Sequence, residues 1–143
     1  MSRVLEAKLI WRGLAVWIVI LLGASLNGAF REAWLIPRFG DQLGRALSTI
    51  ILCGLVFLVT WLTIGWIRPL SARDALMVGI LWAVLTLGFE FLAGHYAFGK
   101  SWAVLLEDYD LRRGRIWIAV LVMVLIAPLW TARMQGLLIA RPN

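Results

Sequence analysis

The chain has 143 residues, of which 62% are hydrophobic, and it carries 14 Lys and Arg against 8 Asp and Glu. Soluble domains usually contain about 45–50% apolar residues, and a chain this short has too small an interior to bury the excess away from water. The composition therefore excludes an ordinary soluble domain and favours one compact integral membrane unit. The basic residues lie between the apolar runs, as membrane proteins place them, so the net charge of +6 does not indicate nucleic-acid binding.

Four apolar stretches occupy residues 9–30, 46–67, 75–96 and 116–131, and each approaches the roughly 20 residues of a spanning helix. They lack the two-residue alternation of a transmembrane barrel. Because hydrocarbon leaves no partner for an open backbone N–H or C=O, each stretch is predicted to be an α-helix. The sequence thus predicts an all-α bundle of four transmembrane helices, a single domain over residues 1–143, in the bacterial inner membrane.

The first predicted span follows a basic segment, as the apolar part of a signal peptide would. Residues 27–30 do not form a convincing cleavage site, so we expect this helix to be retained. Pro37 and Gly40 are expected to break the chain before the second span. That connection and the one between the third and fourth spans are each about 15–20 residues long, which suggests two helical hairpins with their longer connections on the same side.

The second and third spans are separated by a short turn. Pro69 is expected to end the second span, since proline lacks an N–H and restricts the residue before it. Ser71 with Asp74 three residues later is typical of a capping box that starts the third span. Because the turn is short, we expect these two helices to be antiparallel neighbours.

Aromatic and small residues predict how the helices meet lipid and each other. Residues 100–106 have apolar residues at helical spacing, which predicts a short interfacial amphipathic helix before the fourth span. Trp17, Trp61 and Trp82 lie deep in the spans and are expected to pack between helices. Six other tryptophans near the span ends are typical of an aromatic belt: Trp11, Trp34, Trp66, Trp102, Trp117 and Trp130. Four glycines are candidates for close helix contact: Gly23, Gly54, Gly79 and Gly88.

The orientation is not decided by charge, because seven Lys and Arg fall on each side of the predicted spans. A basic N-terminal segment usually stays in the cytoplasm. This favours an arrangement with both termini inside and the two long connections outside.

Glu90 is the first candidate for a functional residue. It lies about six residues inside the predicted end of the third span, or roughly 9 Å at 1.5 Å per residue. An acid at that depth is costly unless it is paired, hydrated or protonated, so it marks a functional site by default. The structural alternative is an ion pair with Arg31 or Arg115 that ties two helices together.

Other polar residues fall at the same predicted membrane face. Asn27 precedes Arg31 by one turn, so the two share a helix face and would clamp an anionic headgroup or order a loop. His95 is the only histidine and a candidate pH-sensitive gate, but no metal-ligand spacing is present. We expect a pocket formed by eight ligand-binding residues: Asn27, Arg31, Glu32, Glu90, His95, Tyr96, Asp108 and Arg115.

The chain carries the pattern NGxxRE, followed by FExxxGHYxxGxSWxxLLxDYDxxxGRxW. In this it resembles small four-span bacterial inner-membrane proteins of uncharacterised function, and the resemblance covers most of the chain. It implies a fold, but it implies no activity and no cofactor.

The leading hypothesis is a pocket that binds or helps to move a lipid headgroup, an ion or a small amphiphile. The alternatives are an accessory subunit of a larger membrane complex and a membrane enzyme acting on a lipid or thiol substrate. The sequence has no phosphate loop, GxSxG, HExxH or CxxCH motif, which favours a role other than catalysis. The expected partners are membrane lipids and either further copies of the chain or a larger complex.

Overall fold

The computed structural model describes residues 2–97, 99–107 and 118–138, and the regular structure within these ranges is helical. The all-α prediction is therefore confirmed. In chain order, the segments are α1 (Arg3–Phe30), π1 (Arg31–Leu35), α2 (Ile36–Phe39), α3 (Asp41–Ile67), α4 (Ala72–Leu92), π2 (Ala93–Ala97), α5 (Trp102–Glu107) and α6 (Ile118–Met134). The short α5 lies where the sequence predicts an amphipathic helix. Asp108, Arg115 and Trp117 lie outside the described residues.

Among the described residues, three continuous helices are long and apolar enough to cross a membrane: Arg3–Phe39, Asp41–Ile67 and Ala72–Ala97. The fourth, α6, is equally apolar but has 17 residues in the described part of the chain. Most side chains of these helices face outward. Leu26 and Leu62, for example, are each 72% exposed. Soluble proteins rarely expose large contiguous apolar surfaces, so this exterior suits lipid rather than water.

The chain between the first two predicted spans is helical rather than the long connection that was expected. The first helix continues through π1 and α2, and Gly40, with φ of 87°, separates α2 from α3. In an uninterrupted α-helix the ring of Pro37 would clash with the carbonyl of Ala33, and the wider turn of π1 provides room for that ring. Pro37 therefore widens the helix without breaking it, and Gly40 alone forms the break.

The turn before α4 has the predicted capping residues with a changed bonding pattern. The Ser71 hydroxyl accepts a hydrogen bond from the Asp74 N–H at 3.2 Å, as in a capping box. The Asp74 carboxylate, however, accepts from the Leu70 N–H at 3.1 Å rather than from Ser71. Arg68 ends α3 in the left-handed conformation, with φ of 56° and ψ of 59°, and Pro69 follows it.

The prediction that the second and third spans are neighbours is wrong. Helix α6 packs against both α3 and α4, and α1 packs against the same two helices from the other side. Within the described residues, no Cα atom of α3 comes within 8 Å of one in α4, and the same holds for α1 and α6. The four-residue turn therefore joins two helices that are diagonal to each other, because α1 and α6 fill the space between them.

Two indole hydrogen bonds join α1 to α4. The fully buried Trp82 donates its Nε1–H to the Gly13 carbonyl oxygen at 2.8 Å. Trp17 donates its Nε1–H to the Thr86 hydroxyl at 3.1 Å. Both pairs are 69 positions apart in the chain, so the two helices run parallel and in register. The expected packing is confirmed for Trp17 and Trp82.

The corresponding prediction for Trp61 is wrong. This residue is 37% exposed and stacks on Phe57 at 6.0 Å between ring centroids. A deep position along a span does not show which face of the helix a residue occupies, and Trp61 lies on an outward face.

The four candidate glycines differ in their surroundings. A Cβ atom on Gly79 would overlap the carbonyl oxygen of Leu125, so this glycine permits the close approach of α4 and α6. A Cβ on Gly23 would meet the flexible side chain of Leu55 at 2.8 Å. A Cβ on Gly54 or Gly88 would have no neighbour within 4 Å in the described part of the chain. The expectation that these two glycines permit close helix contact is therefore wrong for the described helices.

We expect Gly79→Ala to lower the free energy of unfolding by about 1–3 kcal/mol, because the added methyl must push the α6 backbone away. The matched control is Gly88→Ala in the same helix, where open space surrounds the position. It should leave stability unchanged or raise it by up to about 1 kcal/mol, since alanine favours helix over glycine. Titration of the purified protein from mild into denaturing detergent measures both. Equal stability of the two variants would contradict this account of α4–α6 packing.

Candidate functional site

A cavity of about 170 Å³ lies between α1, α3, α4 and α6. It lies beyond the two indole hydrogen bonds between α1 and α4, in the direction of π1 and π2. We call it the central cavity. Its lining comes from α1 and π1 (Trp17, Ile20, Leu21, Ala24, Ser25, Asn27, Gly28, Arg31), α3 (Leu52, Val56), α4 (Thr86, Phe89, Glu90) and α6 (Val120, Val124). Beyond the Trp17–Thr86 hydrogen bond, α1 and α4 therefore leave space between them.

The lining of the central cavity changes character along α1. From Trp17 to Ala24 the residues are apolar, and from Ser25 to Arg31 they are mostly polar. On α4, Glu90 lies one turn beyond Thr86, and the offset of 69 positions between the helices places it level with Leu21 rather than with Asn27. The cavity is thus amphipathic: the α1 lining is apolar towards the middle of the helices and polar towards the π-helical turns, and α4 adds Thr86 and Glu90.

Asn27 provides the most specific polar group of the cavity. It is 7% exposed, and its Nδ2 donates to the Ser48 carbonyl at 3.1 Å and to the Ser48 hydroxyl at 2.9 Å. Because a carbonyl can only accept, these bonds fix which end of the amide is nitrogen. The Asn27 Oδ1 atom is buried and has no hydrogen-bond partner in the part of the chain that the structure describes. An unpaired buried acceptor costs about 1–3 kcal/mol, so a donor from water or a ligand would be stabilised there.

Arg31 and Glu90 are both part of the lining, but they do not form the predicted ion pair. The Arg31 Nε donates to the Glu32 carboxylate at 3.3 Å, and this pair lies at the start of π1. Within the described residues no salt bridge joins Arg31 to Glu90. The other predicted partner, Arg115, lies outside the described residues. Glu90 is partly buried and is not an isolated group.

Three predicted site residues lie outside the lining. The Glu32 side chain is 59% exposed and Tyr96 is 75% exposed. The His95 ring stacks on Trp102 with centroids 4.0 Å apart, and its Nδ1 lies 2.8 Å from the Lys100 carbonyl oxygen. Since that oxygen can only accept, Nδ1 carries the hydrogen. His95 is thereby held in an aromatic cluster at the surface of the bundle.

The structure thus brings together Asn27, Arg31 and Glu90 of the eight predicted residues, and it adds Ser25 and Thr86. Thr86 lies four residues before Glu90, and this helical spacing is a signal that sequence analysis missed. The π-helical turns were also missed. Both helices that carry the polar residues end in such a turn at the same end of the bundle, and π-helical turns are frequent at functional sites.

Comparison of the chain with protein-family profiles, with curated proteins and with solved structures found no match. The resemblance to small four-span proteins therefore stays a prediction, and the site is interpreted from its own geometry.

We expect Asn27→Ala to lower the free energy of unfolding by about 1 kcal/mol, because the loss of both hydrogen bonds to Ser48 and of the packing of the amide outweighs the relief of its unpaired Oδ1. Ser48→Ala should cost less, since the amide keeps its bond to the backbone carbonyl. Detergent-induced unfolding of both variants checks the order. A larger effect for Ser48→Ala would contradict the assigned role of that carbonyl in holding Asn27.

Proposed function

We propose that this chain is a four-span protein of the bacterial inner membrane that binds a small amphiphile in the central cavity. The apolar, outward-facing surfaces of the long helices support insertion into a bilayer. In that setting α5, with Trp102 45% exposed, lies at the interface beside the ends of the long helices. The amphipathic lining of the cavity supports the ligand class.

The unpaired Oδ1 of Asn27 is the observation that carries this proposal. It favours a ligand group that donates a hydrogen bond at this end of the cavity. Arg31 contacts the Glu32 carboxylate at 3.3 Å, so an anionic ligand would have to compete with that carboxylate. We therefore assign the polar end to a hydroxyl or amine head, rather than to the anionic headgroup that the Asn27–Arg31 spacing suggested.

The apolar part of the cavity sets the size and direction of the ligand. Its lining residues on α1, from Trp17 to Ala24, would receive a short apolar tail pointing towards the indole pairs. The volume of about 170 Å³ is below the roughly 300–1,000 Å³ of sites for drug-sized molecules. The ligand is accordingly small, with one polar head and a short tail.

Native mass spectrometry of the protein released from mild detergent tests this proposal. We expect a stoichiometric adduct on the wild-type chain. Ala24→Leu places extra bulk in the cavity and should abolish the adduct while stability is kept or increased. Ala29→Leu makes the same change at an exposed position of α1 and should leave the adduct in place. Glu90→Gln should reduce binding without altering the size of the side chain.

The outcome also distinguishes a ligand-binding role of these polar residues from a role in which they only stabilise contacts between helices. A bare wild-type chain, or an adduct that survives Ala24→Leu, would contradict the central cavity as a ligand site. Loss of expression in Glu90→Gln with no adduct on the wild type would instead support the accessory-subunit alternative.

The proposed orientation places both termini in the cytoplasm, and cysteine labelling in intact cells tests it. In a Cys53→Ala background, Ser101→Cys should react with a membrane-impermeant maleimide from outside. Val4→Cys, which is also at an exposed position, should react only after the cells are permeabilised. These residues lie at opposite ends of the bundle because α1 and α4 are parallel. The reverse labelling pattern would invert the orientation.

A further inference from the structure

A second cleft, of about 200 Å³, lies at the end of the bundle opposite the π-helical turns. It is formed by the start of α1, the end of α3 and the turn before α4. We call it the basic cleft, and its charged residues are Lys8, Arg12, Arg68 and Asp74, with Leu9 and Ile67 among its apolar walls. Three cations and one acid give it a net charge of +2.

The positive charges of the basic cleft are not neutralised by the fold. Within the described residues, Lys8, Arg12 and Arg68 form no salt bridge. Asp74 is 5% exposed, and its carboxylate accepts the hydrogen bond from the Leu70 N–H. That carboxylate is occupied with the start of α4, so the cleft presents mainly cationic groups.

Arg12 is held in place through one of its terminal nitrogens. One of its terminal nitrogens donates to the Trp66 carbonyl at 2.9 Å, and the guanidinium lies 5.3 Å from the centroid of the Trp66 ring. Its Nε atom is buried and has no hydrogen-bond partner among the described residues. Guanidinium groups donate in a fixed planar geometry that matches phosphate and carboxylate oxygens. A guanidinium held in place beside two cations that form no salt bridge within the described residues points to an oxyanion.

We propose that the basic cleft binds the phosphate group of an anionic phospholipid. The cleft lies where the apolar parts of α1 and α3 end, which is the level of the headgroups if the helices cross a bilayer. Its walls combine cations with leucine and isoleucine, so they suit a phosphate that is attached to acyl chains better than a free ion. The inference rests on the membrane insertion proposed above, and it is independent of the central cavity.

Arg68 offers a variant that separates binding from folding. Its left-handed backbone, with φ of 56°, is a conformation that glycine adopts without strain. Arg68→Gly therefore removes a cation of the cleft and should leave the fold at least as stable. Arg73→Gln is the matched control, because it removes the same charge from an exposed position that does not line the cleft.

The full-length protein in mild detergent is titrated with phosphatidylglycerol or phosphatidylcholine, and bound lipid is counted by native mass spectrometry. We expect phosphatidylglycerol to bind more tightly than phosphatidylcholine. Arg68→Gly should weaken phosphatidylglycerol binding about tenfold or more, as expected for a charge-assisted hydrogen bond, and Arg73→Gln should behave as wild type. Equal affinity for the two lipids, or equal binding by Arg68→Gly and wild type, would overturn the proposal.

Competition by inorganic phosphate distinguishes the source of the phosphate group. Retention of the lipid in excess inorganic phosphate supports the phospholipid assignment. Displacement by inorganic phosphate, with the same loss in Arg68→Gly, would overturn the lipid assignment and identify free phosphate as the ligand of these cations. The adduct expected in the central cavity is followed in the same spectra, and it should be lost in Ala24→Leu. Loss of the proposed ligand at one site can therefore be told apart from loss of the proposed lipid at the other.

Discussion

The arrangement of the bundle depends on two indole hydrogen bonds between α1 and α4. Trp82 donates to the Gly13 carbonyl, and Trp17 donates to the Thr86 hydroxyl one turn further along both helices. In a dry interior an unpaired indole N–H or carbonyl is unfavourable, so the two bonds hold the helices in a single parallel register. With α1 placed beside α4, α3 and α4 become diagonal, and their short turn must cross the end of the bundle.

The same register explains why polar groups gather at one end. Because α1 and α4 are parallel, the later turns of both helices lie towards the same end of the bundle, although the offset of 69 positions places Asn27 about six residues further along than Glu90. The Trp82–Gly13 and Trp17–Thr86 hydrogen bonds hold α1 and α4 together, and the central cavity begins beyond these bonds, towards the π-helical turns. The two π-helical turns follow immediately, so the widened backbone and the polar residues occupy one region of the molecule.

The two ends of the bundle present opposite chemistry. At one end the unpaired atom is an acceptor, the Oδ1 of Asn27, and at the other it is a donor, the Nε of Arg12. Each atom belongs to a side chain that also donates to a backbone carbonyl, that of Ser48 and that of Trp66 respectively. The unpaired acceptor is the reason for assigning a donor head to the central cavity, and the cations are the reason for assigning a phosphate to the basic cleft.

Composition, period and capping are local properties, so the sequence alone predicts the helical class, the apolar helices, the N-cap of α4 at Ser71 and the grouping of Asn27, Arg31 and Glu90 in one half of the bundle. Which helices touch, which face Trp61 occupies, and the pairing of Arg31 with Glu32 rather than with Glu90 became known from the three-dimensional structure. These outcomes depend on rotation and register between helices. Both are set by contacts between residues far apart in the chain, such as Gly79 with Leu125, and no local pattern encodes them.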